Sequence, residues 1–221
     1  MTSLVAIFLG LGSAFAAQAD GKRTVDFGVV GVDFLVYHSF HYVNSSPQPV
    51  LLKTKNVPCE CSKVRIADSL LAPGDSTTIR LEFDTKNVFG PTVKSFTIST
   101  TDPAFPVLEY YYMSNVGQWL LGVKPNPPSV FFLPAHSSKK VTIPNPRANN
   151  LGITFIDQAD SNFTVSPLSQ KIAKGGSAEL EIKVAPKLAK GTYYSSFRIR
   201  IEPSEGANPF LLTIPVKIVR Y

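Results

Sequence analysis

The chain contains its own repeat. Leu71-Ala-Pro-Gly-Asp-Ser-Thr-Thr-Ile-Arg-Leu-Glu-Phe83 aligns with Ile172-Ala-Lys-Gly-Gly-Ser-Ala-Glu-Leu-Glu-Ile-Lys-Val184 at an offset of 101 residues. The offset holds without a gap from Asn44/Asn145 through Gly74/Gly175, Lys86/Lys187, Gly90/Gly191 and Phe96/Phe197 to Ile98/Ile199. Whatever the fold, it is made twice, in units of about 100 residues that can each bury a core. Within each unit hydrophobicity alternates with period two, which is the strand signal. Thr77, Ile79, Leu81 and Phe83 share one face of such a strand, and Ser76, Thr78, Arg80 and Glu82 the other. In the second copy Leu180, Ile182 and Val184 face in, and Glu179, Glu181 and Lys183 face out. Ala72-Pro73-Gly74-Asp75 and Lys174-Gly175-Gly176-Ser177 supply turns just before these strands. No stretch sustains helical spacing. The expectation is an all-β chain of two tandem immunoglobulin-like antiparallel β-sandwiches.

The N-terminus reads as a secretory signal. Leu4 to Ala17 is apolar and small, and the peptidase-type sites Ala14-Phe15-Ala16 and Ala17-Gln18-Ala19 follow. The expected organisation is a signal peptide over 1–19, a first sandwich over 20–122, a Pro-rich linker over 123–128 and a second sandwich over 129–221. Cleavage would leave no transmembrane span and a periplasmic or secreted bacterial protein. Lys124-Pro-Asn-Pro-Pro128 should be stiff and extended. Trp119, the only tryptophan, lies beside it and is a candidate for either the interdomain joint or the first core.

The net charge of +6 is unevenly placed. Residues 20–121 hold 9 Lys/Arg against 10 Asp/Glu, and residues 122–221 hold 13 against 6. Lys139, Lys140, Arg147, Lys171, Lys174, Lys187 and Lys190 are therefore candidates for a basic surface that meets an anionic cell-envelope component or acidic protein. The competing reading is an ordinary solvated surface. Aromatic stacking motifs of the nucleic-acid type are absent, so nucleic acid is not expected.

Cys59 and Cys61 are the only cysteines. At the repeat offset they fall opposite Asp160 and Asn162, so the fold does not require them. Three readings stand: a local disulfide or pair of unpaired thiols, a redox-active dithiol, or a soft-metal site in which copper(I) is held by Cys59, Cys61 and His41. His38 and His41 are three apart, which on a strand points them to opposite faces. Asn44-Ser-Ser46 and Asn162-Phe-Thr164 match glycosylation acceptors, and Tyr110-Tyr-Tyr112 is either core or an exposed aromatic ledge. No Gly-x-Ser-x-Gly, His-Glu-x-x-His or P-loop is present, which argues against an enzyme.

Val43-Asn44, Asn56-Val-Pro-Cys-Glu-Cys61, Leu71-Ala-Pro-Gly-Asp-Ser76, Gly90 and Thr101-Asp102 resemble an uncharacterised bacterial family. Its members are exported immunoglobulin-like domains with a Cys-Gly-Cys motif, related to sandwiches of the ASH/hydin and major-sperm-protein type. The resemblance covers about 90 residues of the first copy and departs at Glu60, where glycine is usual. It implies the sandwich and carries no settled activity. The expected function is a non-enzymatic structural or interaction protein that recognises a protein or anionic envelope partner. The alternatives are a thiol-redox or copper(I)-handling protein, and a periplasmic pilus-type chaperone.

Overall fold

The computed structural model describes residues 22–221. The expected signal peptide, 1–19, lies outside the described residues. The first unit contains β1 (Lys22–Val30), β2 (Leu35–Val43), β3 (Val50–Asn56), β4 (Ser62–Ile66), β5 (Leu70–Leu71), β6 (Ser76–Asp84), β7 (Gly90–Thr100) and β8 (Val107–Val116). A 3-10 turn at Leu120–Gly122 follows. The second unit contains β9 (Val130–Phe132), β10 (Ser138–Pro144), β11 (Leu151–Gln158), β12 (Phe163–Ser166), β13 (Ser169–Ile172), β14 (Ser177–Val184), β15 (Gly191–Pro203) and β16 (Phe210–Arg220).

The repeat is reproduced strand for strand. One small sheet runs β2-β6-β4 and its counterpart runs β10-β14-β12. Each packs on its own portion of a larger sheet and closes a separate core. The first core gathers Phe27, Phe40, Phe83, Phe96, Tyr110 and Tyr112. The second gathers Phe132, Phe163, Leu180, Ile182, Phe197 and Ile199. Strand β6 shows why alternation works: Thr77, Ile79, Leu81 and Phe83 are buried and their neighbours are not. Burial of each large apolar side chain is worth about 1.5–3 kcal/mol. Tyr110 and Tyr112 are fully buried, with Tyr110 stacked on Phe96 at 4.9 Å, so no aromatic ledge forms.

The paired asparagines brace equivalent turns. The Asn44 side-chain amide donates to the carbonyls of Gln48, Leu71 and Ala72. Asn145 donates to Asn149, Ile172 and Ala173, the same three positions moved by the repeat offset. A buried carbonyl without a donor is costly, and one amide here satisfies several. Asn44 is wholly buried, so in the folded chain its amide is closed to glycosylation.

The units are joined by backbone pairing. The large sheet is continuous, in the order β13-β11-β15-β16-β1-β8-β7-β3-β5. Strand β1 pairs in parallel with β8 of its own unit and meets β16 of the second at Val29 and Leu212. Strand β9 uses only Val216 to Ile218 on that edge of β16. The rest of the edge is left for β1. A bulge between Asp26 and Val29 lets β1 turn from one partner to the other. At its centre Gly28 has φ +63°, and a Cβ there would lie 2.0 Å from the Leu211 carbonyl oxygen.

Segment 123–128, expected to be a stiff, extended linker, makes specific contacts with unit two. Val123 is buried in the second core. Asn126 exchanges two backbone hydrogen bonds with Thr142, at 2.9 and 2.8 Å. An isolated proline-rich run favours extension, but here a buried valine and a bridge to β10 fasten it to unit two. Trp119 is half-buried against the second core, and its ring edge lies beside Gly31 of the first unit. Among the described residues no helix is long and apolar enough to cross a membrane.

Candidate functional site

A cleft of about 540 Å³ opens between the small sheet of the first unit and the second unit. Outward residues of three neighbouring strands form its floor: Tyr37 on β2, Arg80 and Glu82 on β6, and Lys63 and Arg65 on β4. Asn162 and the Thr192–Tyr194 stretch close it from unit two. Tyr37, Arg80 and Glu82 are outward by alternation, because Val36, Ile79, Leu81 and Phe83 fill the core.

Arg80 anchors this wall. Its guanidinium meets the Asp160 carboxylate at 3.1 Å, donates to the Tyr194 carbonyl and lies 4.7 Å from the centre of the Tyr37 ring. Tyr37 donates its hydroxyl to Glu82 at 2.9 Å, and Lys63 pairs with the same carboxylate at 3.0 Å. Burial, followed by that bond to Glu82, raises the Tyr37 hydroxyl well above the usual phenol range. Across β4 and β6, Arg65 stands directly opposite Arg80. Asp160 neutralises Arg80, whereas among the described residues Arg65 has no carboxylate partner.

The cysteines occupy a second place, at the β3–β4 connection. Cys59 and Cys61 are disulfide-bonded. The Lys94 ammonium donates to both sulfurs at 3.4 Å. The Ser62 hydroxyl lies 3.4 Å from Cys59 Sγ and 3.7 Å from Cys61 Sγ, and it is hydrogen-bonded to the buried Tyr112 hydroxyl. Burial raises the Tyr112 hydroxyl, and Ser62 partly offsets this.

The expected copper ligands are not brought together. The Cys61 carbonyl accepts from Asp84, which pairs with Leu35 at the start of β2. His41 is six residues further along β2, about 20 Å away at strand rise. His41 instead faces a shallow pocket with Ser39, Gln158 and Asp160. Among the described residues no group of three His, Cys, Asp or Glu side chains gathers in metal-holding fashion.

The seven candidate basic residues fall into separate groups along the second unit. Arg147, Lys171 and Lys174 cluster at the turn that begins β14, whereas Lys187 and Lys190 follow its end. An eight-residue strand separates these groups by about 26 Å. Lys140 is paired with Glu179 at 2.6 Å, and Arg147 donates to the Glu205 carbonyl. Lys139 lies beside Lys140 on β10, in register with Ile182. The charge surplus is real, but alternation distributes it over strands and turns.

Sequence reasoning missed the residues that couple the units. Asp157 holds Arg198 in a two-point pair, and Asp160 holds Arg80. One signal was present. Asp160 and Asn162 occupy the repeat positions of Cys59 and Cys61, so the loop of unit two that corresponds to the disulfide loop is the one that docks on unit one.

No curated protein matches the chain. Among solved structures, the major-sperm-protein-like SSP-19 of Caenorhabditis elegans is 14% identical, with 44% of this chain covered, 99% of that one, and a TM-score of 0.38. The periplasmic chaperone SfaE is 13% identical with a TM-score of 0.38; the match takes in 45% of this chain and about half, 56%, of the chaperone. A protein of unknown function from Porphyromonas gingivalis W83 is 14% identical over 87% of this chain and 96% of its own, with a TM-score of 0.32. Residues 19–110, the unit with the cysteines, match the model of a family described as protein of unknown function, DUF1573.

Proposed function

We propose that the chain is an exported binding protein whose cleft between the two units grips an acidic segment of a protein partner. The observation that carries this reading is Arg65 opposite Arg80 on the cleft floor. Like charges directly across a strand pair destabilise a sheet. Asp160 relieves one of the two, and a ligand carboxylate between them relieves the other. Guanidinium groups suit that task because they accept carboxylates with two parallel hydrogen bonds. Tyr37 and Tyr194 flank the arginines, and tyrosine with arginine is the usual composition of interface anchors. Strands rather than loops present most of the floor, which favours a pre-formed site. A disulfide as the only cysteine pairing fits export to an oxidising compartment.

The test is fluorescence anisotropy with a labelled twelve-residue peptide of Glu, Ser and Gly, against a peptide with Lys in place of Glu. Binding of the acidic peptide alone is expected, weakened about fivefold by Arg65→Ala and more by Arg65→Glu. Equal binding of both peptides, or no effect of either substitution, would remove the proposal.

A further inference from the structure

We propose that Cys59–Cys61 is an exchangeable disulfide that oxidises dithiols of partner proteins, with Lys94 holding the departing thiolate. The first support is where Lys94 stands. On β7 it has the parity of Phe96 and Ile98, which point into the first core. A lysine at an inward position normally needs a carboxylate. Lys94 has none among the described residues and directs its ammonium at the two sulfurs instead.

The second support is the internal repeat. The position equivalent to Lys94 is Ser195, and those equivalent to Cys59, Cys61 and Ser62 are Asp160, Asn162 and Phe163. Tyr112 pairs with Lys94 across β7 and β8, and the partner of Ser195 across β15 and β16 is Val216. The second unit builds the same sandwich with every one of these groups replaced. The lysine and the hydroxyl pair therefore accompany the cysteines, not the fold.

Stability does not account for the bond either. A cross-link between residues two apart removes little freedom from the unfolded chain. The loop is also approachable, because Pro58 and Glu60 beside the cysteines are exposed.

The chemistry balances with a dithiol as co-reactant. A partner thiolate attacks one Sγ, the Cys59–Cys61 bond breaks, and its electron pair leaves on the other sulfur as thiolate. The Lys94 ammonium faces both sulfurs, so it stabilises whichever one leaves, and the Ser62 hydroxyl can donate to the same charge. The second partner thiol then attacks the mixed disulfide and releases the second cysteine. The partner gains a disulfide, Cys59 and Cys61 become the dithiol, and the two protons lost by the partner are taken up there.

The experiment uses the full mature chain with dithiothreitol as the dithiol probe, and disulfide loss is read as mass added on alkylation. Rapid reduction is expected at pH 7, slowed about fivefold or more in Lys94→Met and largely retained in Lys94→Arg. In the reduced wild type, the pH midpoint of iodoacetamide alkylation is expected clearly below the ordinary cysteine value of about 8.5, and Lys94→Met should move it back up. A wild-type midpoint at or above the ordinary value overturns the proposal, even if the methionine variant does not fold. Identical rates and midpoints in wild type and Lys94→Met overturn it as well.

Discussion

His38 shows how a single side chain registers the joint. It lies on β2 in register with Leu81, edge-on to Phe40 at 4.5 Å. Burial lowers its pKa to about 4, Arg198 of the second unit and His41 push the same way, and Asp157 opposes them. The folded chain therefore holds this histidine neutral, while the unfolded chain protonates it near pH 6.5. Because the folded value is depressed, the stability is fully present above pH 6.5 and is lost as pH falls through about 4. The loss should reach about 3 kcal/mol. Urea unfolding from pH 7 to 4.5 should show a steeper decline in wild type than in His38→Gln; parallel curves would mean that His38 is not held neutral. The sequence places this residue on a strand, and its spacing from His41 is plain. The charges that face it are 119 and 160 residues away in the chain, so their influence is not legible there. Asn44 and Asn145 are the opposite case. Their bonds reach turns within 28 residues, and the repeat exposes them as a pair.

Strand β1 is the element on which the two units depend. Its alternation, with Val25, Phe27 and Val29 buried, is readable from sequence. Its second partner is not, because backbone pairing along an edge leaves no side-chain code. The Pro-rich 123–128 segment is legible only in part for a related reason: its composition speaks for extension, but its bridge to Thr142 is a backbone contact. Gly28 makes the joint testable. Its positive φ and the Leu211 carbonyl 2.0 Å from an added Cβ leave no room for a side chain. Gly28→Ala should cost about 2–4 kcal/mol in urea unfolding. A cost under about 0.5 kcal/mol would show that β1 and β16 do not meet as described.

At the scale of the whole molecule, a tandem of sandwiches normally permits relative motion, since interfaces between domains are modest and polar. This joint is polar too, but it is directional. Tyr37 and Ser196 exchange hydrogen bonds in both directions, at 2.9 and 2.7 Å. Ser39 donates to the Ala159 carbonyl, and Arg198 donates to the Asp26 carbonyl at 2.6 Å while Asp157 holds its other edge. Separating the units would exchange these bonds for bonds to water, each at a net cost of about 0.5–1.5 kcal/mol, and would break the backbone pairing of β1 with β16. The units should therefore unfold together although their cores are distinct. Calorimetry of the full chain should give one peak, with calorimetric and van't Hoff enthalpies agreeing at about 140 kcal/mol near 60 °C. Units that merely share a chain would give two peaks, or a van't Hoff enthalpy near about 70 kcal/mol, half the calorimetric one. That outcome would also undo the cleft, because its Arg80 wall exists only while Asp160 and Tyr194 are held against it.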